Sequence, residues 1–195
     1  MKPLCLVLAF SSPVFAAELT STAPIIAEKE MGIRLGTQFS ADDVTPGGLR
    51  VGGLFLQRMS QRSWFDGEAS FSFGANEAGC ESQNGTFSCP HGLTDGFGMQ
   101  LSLGGRYVFD ALLGGLQPYA RGGVGVHLAR FGADDLTGAA FPLWAGGGGR
   151  FRVADGVSLA GEALVFAGPS VFNRDLGAEP YVGMLIQVGV EFQLE

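Results

Sequence analysis

Arginine and glutamate recur along this chain where a chain folded in water would not keep them. Arg34, Arg106, Arg121, Arg150 and Arg152 fall in phase with small polar residues, as do Glu68, Glu162 and Glu191, and Arg50 and Arg58 join the set although apolar residues share their phase. Asp66 adds a carboxylate toward one rim. A guanidinium keeps its charge when buried and grips a carboxylate with paired N–H donors. Gathered inside a narrow enclosure, this set makes a plug of ion pairs. The functional alternative is a narrow ion path, or a gate that exchanges pairing partners. With more arginine than carboxylate inside, such a path would prefer anions.

Cys80 and Cys89 lie in one long polar segment, with His91 close behind. In a protein exported through an oxidising compartment, a Cys80–Cys89 disulfide is the default reading. A metal site could enlist both cysteines and His91, but a fourth ligand and the short metal-type spacing are missing. No metal and no cofactor are expected. The glycine run Gly146 to Gly149 lacks the lysine and the strand-to-helix context of a phosphate-binding loop, so it reads as close strand packing. A sequence pI near 4.8 speaks against nucleic acid.

The elements that position these residues begin after an N-terminal export signal. Lys2, the apolar run Leu4 to Phe10, Pro13 and the small-residue end Val14-Phe15-Ala16 predict cleavage after Ala16. Residues 1–16 are therefore expected as a signal peptide, 17–29 as a periplasmic lead-in and 30–195 as a single domain. That domain is rich in glycine and phenylalanine, 32 and 16 in the whole chain, and holds no lysine beyond Lys29. Mean hydropathy is positive, at +0.24. Such a surface does not face water. Nothing after Ala16 approaches the roughly 18 continuous apolar residues of a membrane helix. If lipid is the solvent, strands must span it, and they must close.

Alternation with a period of two marks the strands. Met31, Ile33, Leu35 and Phe39 oppose Arg34 and Gln38; Phe65, Ala69, Phe71 and Phe73 oppose Glu68, Ser70 and Ser72. The pattern recurs through Phe97 to Tyr107, Arg121 to Leu128, Leu143 to Val153, Val157 to Val165 and Ile186 to Leu194. In Leu49 to Met59, Leu54 and Leu56 share a face with Arg50 and Arg58, and a bulge is expected to resolve the conflict. The total is eight antiparallel strands, an up-and-down transmembrane β-barrel. Connections Ala41 to Gly48, Gly74 to Gly96, Gly132 to Ala140 and Ala167 to Pro180 are the longer ones, and Ser60 to Ser63, Asp110 to Gln117 and Ala154 to Gly156 lie between them, with near-equality only between the first loop and the Asp110 turn. That alternation fixes which end faces outward.

A lipocalin-type barrel has the same strand count but an apolar interior and a wet exterior. Here the polar face is glycine, serine and glutamine with paired charges, suited to a narrow lumen. Aromatic residues gather in two girdles, Phe39, Phe73, Phe97 and Phe141 at the outer edge and Phe65, Tyr107, Phe109, Phe151 and Phe192 at the inner. Both features point to a barrel in the cell outer membrane of a Gram-negative-type cell, among lipid and lipopolysaccharide.

Pro118-Tyr119-Ala120 running into Gly122-Gly123-Val124-Gly125, Glu162, and the closing strand Gln187 to Phe192 carry a resemblance across the expected barrel. The chain resembles the small outer-membrane barrels of the OmpA N-terminal domain and opacity-protein type. It departs from them in placing Phe192 before Gln193-Leu194-Glu195, where the family ends on an aromatic read by the assembly machinery. The resemblance implies a monomer without catalysis, handled by periplasmic chaperones and barrel assembly, with a role in envelope integrity, adhesion or host contact through an extracellular partner. Porin-like conduction through a narrow anion-preferring pore is the alternative.

A lipid A-modifying enzyme is the remaining alternative. Lipid A deacylases place a serine two residues after the catalytic histidine, whereas His127 is followed by Leu128 and Ala129. His127 then reads as a lumen filler, and no enzyme is expected. The outer loops carry Asp42, Asp43, Asp134 and Asp135 among other acids. They read as solvated surface, or as carboxylates that a divalent cation ties to anionic headgroups.

Overall fold

The computed structural model describes residues 28–40, 48–74, 81–83, 86–88, 96–112, 115–131, 135–173 and 177–194. The expected signal peptide, Cys80, Cys89, His91, Asp42, Asp43 and Asp134 lie outside them. The strands are β1 (Lys29–Ser40), β2 (Gly48–Arg58), β3 (Ser63–Phe73), β4 (Glu81–Gln83), β5 (Thr86–Ser88), β6 (Gly96–Val108), β7 (Leu116–Phe131), β8 (Leu136–Ala140), β9 (Leu143–Ala154), β10 (Val157–Phe172) and β11 (Gly177–Leu194). β1 opens at Lys29, the last residue of the expected lead-in.

Antiparallel ladders run β1-β2-β3-β6-β7-β9-β10-β11. β11 closes on β1 from Lys29↔Leu194 to Ser40↔Gly183, so the sheet is a ring of eight strands without an edge. β8 prolongs β9 between β7 and β10. Pro142 interrupts that strand because it has no N–H. The ladder is bridged nonetheless, with Phe141 donating to the Pro169 carbonyl and Gly125 to that of Pro142. β4 and β5 form a small hairpin apart from the ring.

Closure at eight strands leaves an interior just wide enough for side chains to fill. Glycine lets the strands carry large ones there. A Cβ at Gly148 would stand 2.1 Å from the Gly161 carbonyl oxygen and 2.7 Å from the Glu162 Cβ. The Asp155-Gly156 turn joins β9 to β10 with Gly156 at φ +69°, the left-handed conformation a tight hairpin demands.

The outward face is apolar. Ile33, Leu103 and Leu143 are 62%, 58% and 66% exposed, and among the described residues no outward position between the two aromatic rows carries a charge. Phe73 and Phe97 meet edge to face at one end, as do Tyr107 and Phe109 at the other.

Three sequence expectations are corrected. β2 holds no bulge, for its register with β1 and β3 is unbroken. Leu54 and Leu56 face inward beside Arg50 and pack on Trp64, Val108, Tyr119 and Ala160, so part of the interior is apolar. Asp66 is not at a rim but fully buried. Two of the four expected outer loops are largely strand: Leu136–Ala140 is β8, and β10 and β11 stay paired from Ala167↔Val182 to Phe172↔Gly177. Prolines and glycines there break the alternation, yet backbone groups of paired strands keep bonding until the turn.

Candidate functional site: the ion-pair core

Four arginines and four carboxylates meet in the middle of the barrel. Arg121, on β7, is the hub: its Nη2 donates to Asp66 Oδ1 and Glu68 Oε2, both at 2.9 Å, and its Nη1 to Glu162 Oε1 at 2.7 Å. Arg106, on β6, donates to Glu191 Oε1 at 2.6 Å and holds its Nε 3.7 Å from Asp66 Oδ2. Arg34, on β1, donates to the same Glu191 oxygen, with its Nε 3.7 Å from Glu162. Arg50, on β2, reaches Glu68 at 3.1 Å and Gln100 at 3.0 Å. All eight side chains are buried.

Burying charge costs several kcal/mol per ion unless partners and further hydrogen bonds replace the lost water. The balance here is four positive to four negative, and neutral groups complete the coordination. Tyr119 donates its hydroxyl to Glu162 at 2.8 Å, and Gln187 donates to the same carboxylate. Arg106 lies over the Tyr119 ring at 4.3 Å and Arg121 over Trp144 at 4.8 Å. Apolar clusters bound the lattice. Leu54, Leu56 and Trp64 lie toward the short turns, and Trp144, Leu164, Phe166, Tyr181 and Leu185 toward the long loops.

Of the ten ion-pair residues read from the sequence, Arg34, Arg50, Glu68, Arg106, Arg121, Glu162 and Glu191 converge in this lattice, with Asp66. The other three stand at the turn end. Arg58 pairs with Glu28 at 2.7 Å, Arg150 with Glu30 at 2.9 Å, and Arg152 is exposed. The expected arginine excess is therefore absent from the buried core, because the surplus lies at the mouth.

Sequence reasoning missed Glu30, although it shares the phase of Gly32 and Arg34. Gln38, Gln100 and Gln187, which the alternation places on the polar face, are buried beside the lattice. His127 is buried against Tyr181, ring centroids 5.1 Å apart, and neither ring nitrogen has a hydrogen-bond partner among the described residues. No nucleophile–base hydrogen bond is formed there.

No protein-family model matches the chain, and no curated protein matches it by sequence. Solved structures do match in fold. Neisserial surface protein A superposes with a TM-score of 0.58 at 12% identity, covering 86% of this chain and 97% of that one. A major outer membrane protein from Thermus thermophilus gives 0.55 at 13%, covering 87% and 100%. The N-terminal β-barrel domain of Pseudomonas aeruginosa OprF gives 0.54 at 13%, covering 86% and 99%. At such identity the likeness establishes the fold. With an apolar band between its two aromatic rows, the chain has the fold of the small eight-stranded β-barrels of the outer membrane.

Proposed function

We propose that this barrel does not conduct, and that it serves the envelope through the surface it presents beyond the membrane, by structural support or contact with an extracellular partner. The observation that carries the reading is the filled interior. The void beside Arg50, Glu68 and Gln100 measures about 10 Å³, no more than a single water occupies. An ion crossing would have to displace guanidiniums each held by a carboxylate. The loop end, by contrast, is built up. Residues 177–182 of β11 run past the last pairing with β1 and stay bonded to β10, adding roughly 20 Å of ladder at about 3.3 Å per residue. Planar-bilayer recording of the refolded protein tests the reading, and silence is expected. A deletion strain should then show envelope sensitivity or lost adhesion.

A second reading, a narrow pore, draws on one feature. A polar chain links the Glu30–Arg150 mouth through Glu191, Arg106 and Arg121 to Arg50 and Gln100. Steady conductance lost on replacing Arg106 or Arg121 would favour it. Anion preference would need a cation excess that the core lacks.

A further inference from the structure

At the turn end a cavity of about 190 Å³ is framed by Glu30, Gln117, Arg150, Arg152, Ser158 and Glu191. Its size falls below the roughly 300–1,000 Å³ of sites for drug-sized ligands, so an occupant is of amino-acid scale. Three of the framing residues form one cross-strand row, Arg152 opposite Ser158 and Ser158 opposite Glu191.

Glu191 faces two ways. Its Oε1 accepts from Arg34 and Arg106 inside the core. Its Oε2 is buried and accepts no hydrogen bond from any described residue, and the Arg150 Nη1 stands 3.7 Å away. Arg150 is itself engaged by Glu30 at 2.9 Å and Gln117 at 2.8 Å. Across the row, Arg152 is exposed and makes no hydrogen bond or ion pair with a described residue. One wall thus offers a buried carboxylate oxygen without a donor, the other a guanidinium without an acceptor. Directly opposed Cβ atoms are about 5 Å apart, so two steps separate these groups by roughly 10 Å at their roots.

We propose that this cavity binds a small zwitterion, a free amino acid or the end of a short peptide. Its ammonium lies against the carboxylate wall of Glu30 and Glu191, and its carboxylate accepts from Arg152 and Ser158. A simple anion would meet Glu30 and Glu191, and a simple cation would meet Arg150 and Arg152. Only a ligand carrying both signs satisfies both walls.

The test titrates the refolded full chain in lipid nanodiscs with alanine, dialanine, propionate and ethylamine, followed by ligand-observed NMR and calorimetry. Saturable binding of alanine or dialanine is expected, with no saturation by the two half-ligands. Loss of a charge-assisted hydrogen bond should make Arg152→Gln about tenfold weaker or more. Arg152 lies outside the buried core, so the variant keeps the barrel, as heat-modifiable mobility will verify. Tighter binding of dialanine assigns the site to peptide ends, and tighter binding of alanine to free amino acids. The proposal is overturned if neither zwitterion saturates, if propionate alone binds equally well, or if Arg152→Gln binds unchanged.

Discussion

Arg106 and Arg121 stand directly opposite one another on β6 and β7, both pointing into the barrel. Like charges in opposed positions destabilise a sheet. They coexist because Asp66 reaches both, with Oδ1 2.9 Å from Arg121 and Oδ2 3.7 Å from Arg106, while Glu191 and Glu162 hold their other sides. The ladder by itself would not tolerate this pair; the ring around it does.

Removing the hub should therefore cost far more than an ordinary surface change. Arg121→Gln leaves Asp66, Glu68 and Glu162 short of a cation, and breaking one side of a buried pair costs about 3–5 kcal/mol. The urea unfolding midpoint in lipid vesicles should fall accordingly. Arg50→Gln/Glu68→Gln keeps the charge balance and should cost less than the sum of its single changes, with a coupling of about 0.5–3 kcal/mol. Additive single changes would show that Arg50 and Glu68 do not act as a pair.

How much of this was legible in the chain differs by kind of contact. The alternation of Ile33 with Arg34, or Leu101 with Ser102, follows from the pleat and is local, so the strands and their faces could be read directly. Arg34 and Glu191 are 157 residues apart, and only ring closure brings them together. Asp66 sits early in its strand, a position that reads as peripheral in the sequence alone. Strands in a barrel tilt and stagger, so position along one strand does not give height in the lumen. Leu54 and Leu56 misled for another reason: the interior is polar where charges pair and apolar at both ends of that lattice.

Glycine spacing gives a sharper test of packing. Gly148→Ala would drive its Cβ to 2.1 Å from the Gly161 carbonyl oxygen, and neither backbone can retreat without opening the ladder. A loss of about 1–3 kcal/mol is expected, as for overpacking elsewhere. At Gly53, on the outward face, a Cβ meets nothing within 4 Å, and Gly53→Ala should stay within about 0.5 kcal/mol. Equal unfolding midpoints for the two variants would contradict the strand register.

For Cys80 and Cys89 the expectation remains the disulfide. Maleimide labelling of the unreduced, denatured protein should leave both thiols unmodified, and reduction should expose them. A bond between them would bracket the β4–β5 pair, which stands apart from the ring, so its reduction should not alter the heat-modifiable mobility of the barrel. Labelling of both thiols without reductant would sink the pairing.

The exterior is the last point to test, because the membrane reading depends on it. Leu101 points outward at 54% exposure, opposite Ala69 and Val126 and midway between the two aromatic rows. Hydrocarbon is its solvent there. Arginine at the midplane of an outer-membrane barrel costs about 2–4 kcal/mol, falling to about 0–1 near the interface. Leu112 is similarly exposed, at 58%, but lies in the turn between β6 and β7. Leu101→Arg should therefore lower the stability of the barrel in vesicles by that amount, and Leu112→Arg should leave it nearly unchanged. Both should be equally harmless if water, not lipid, surrounds the barrel, and a pair of identical unfolding curves would overturn the transmembrane assignment.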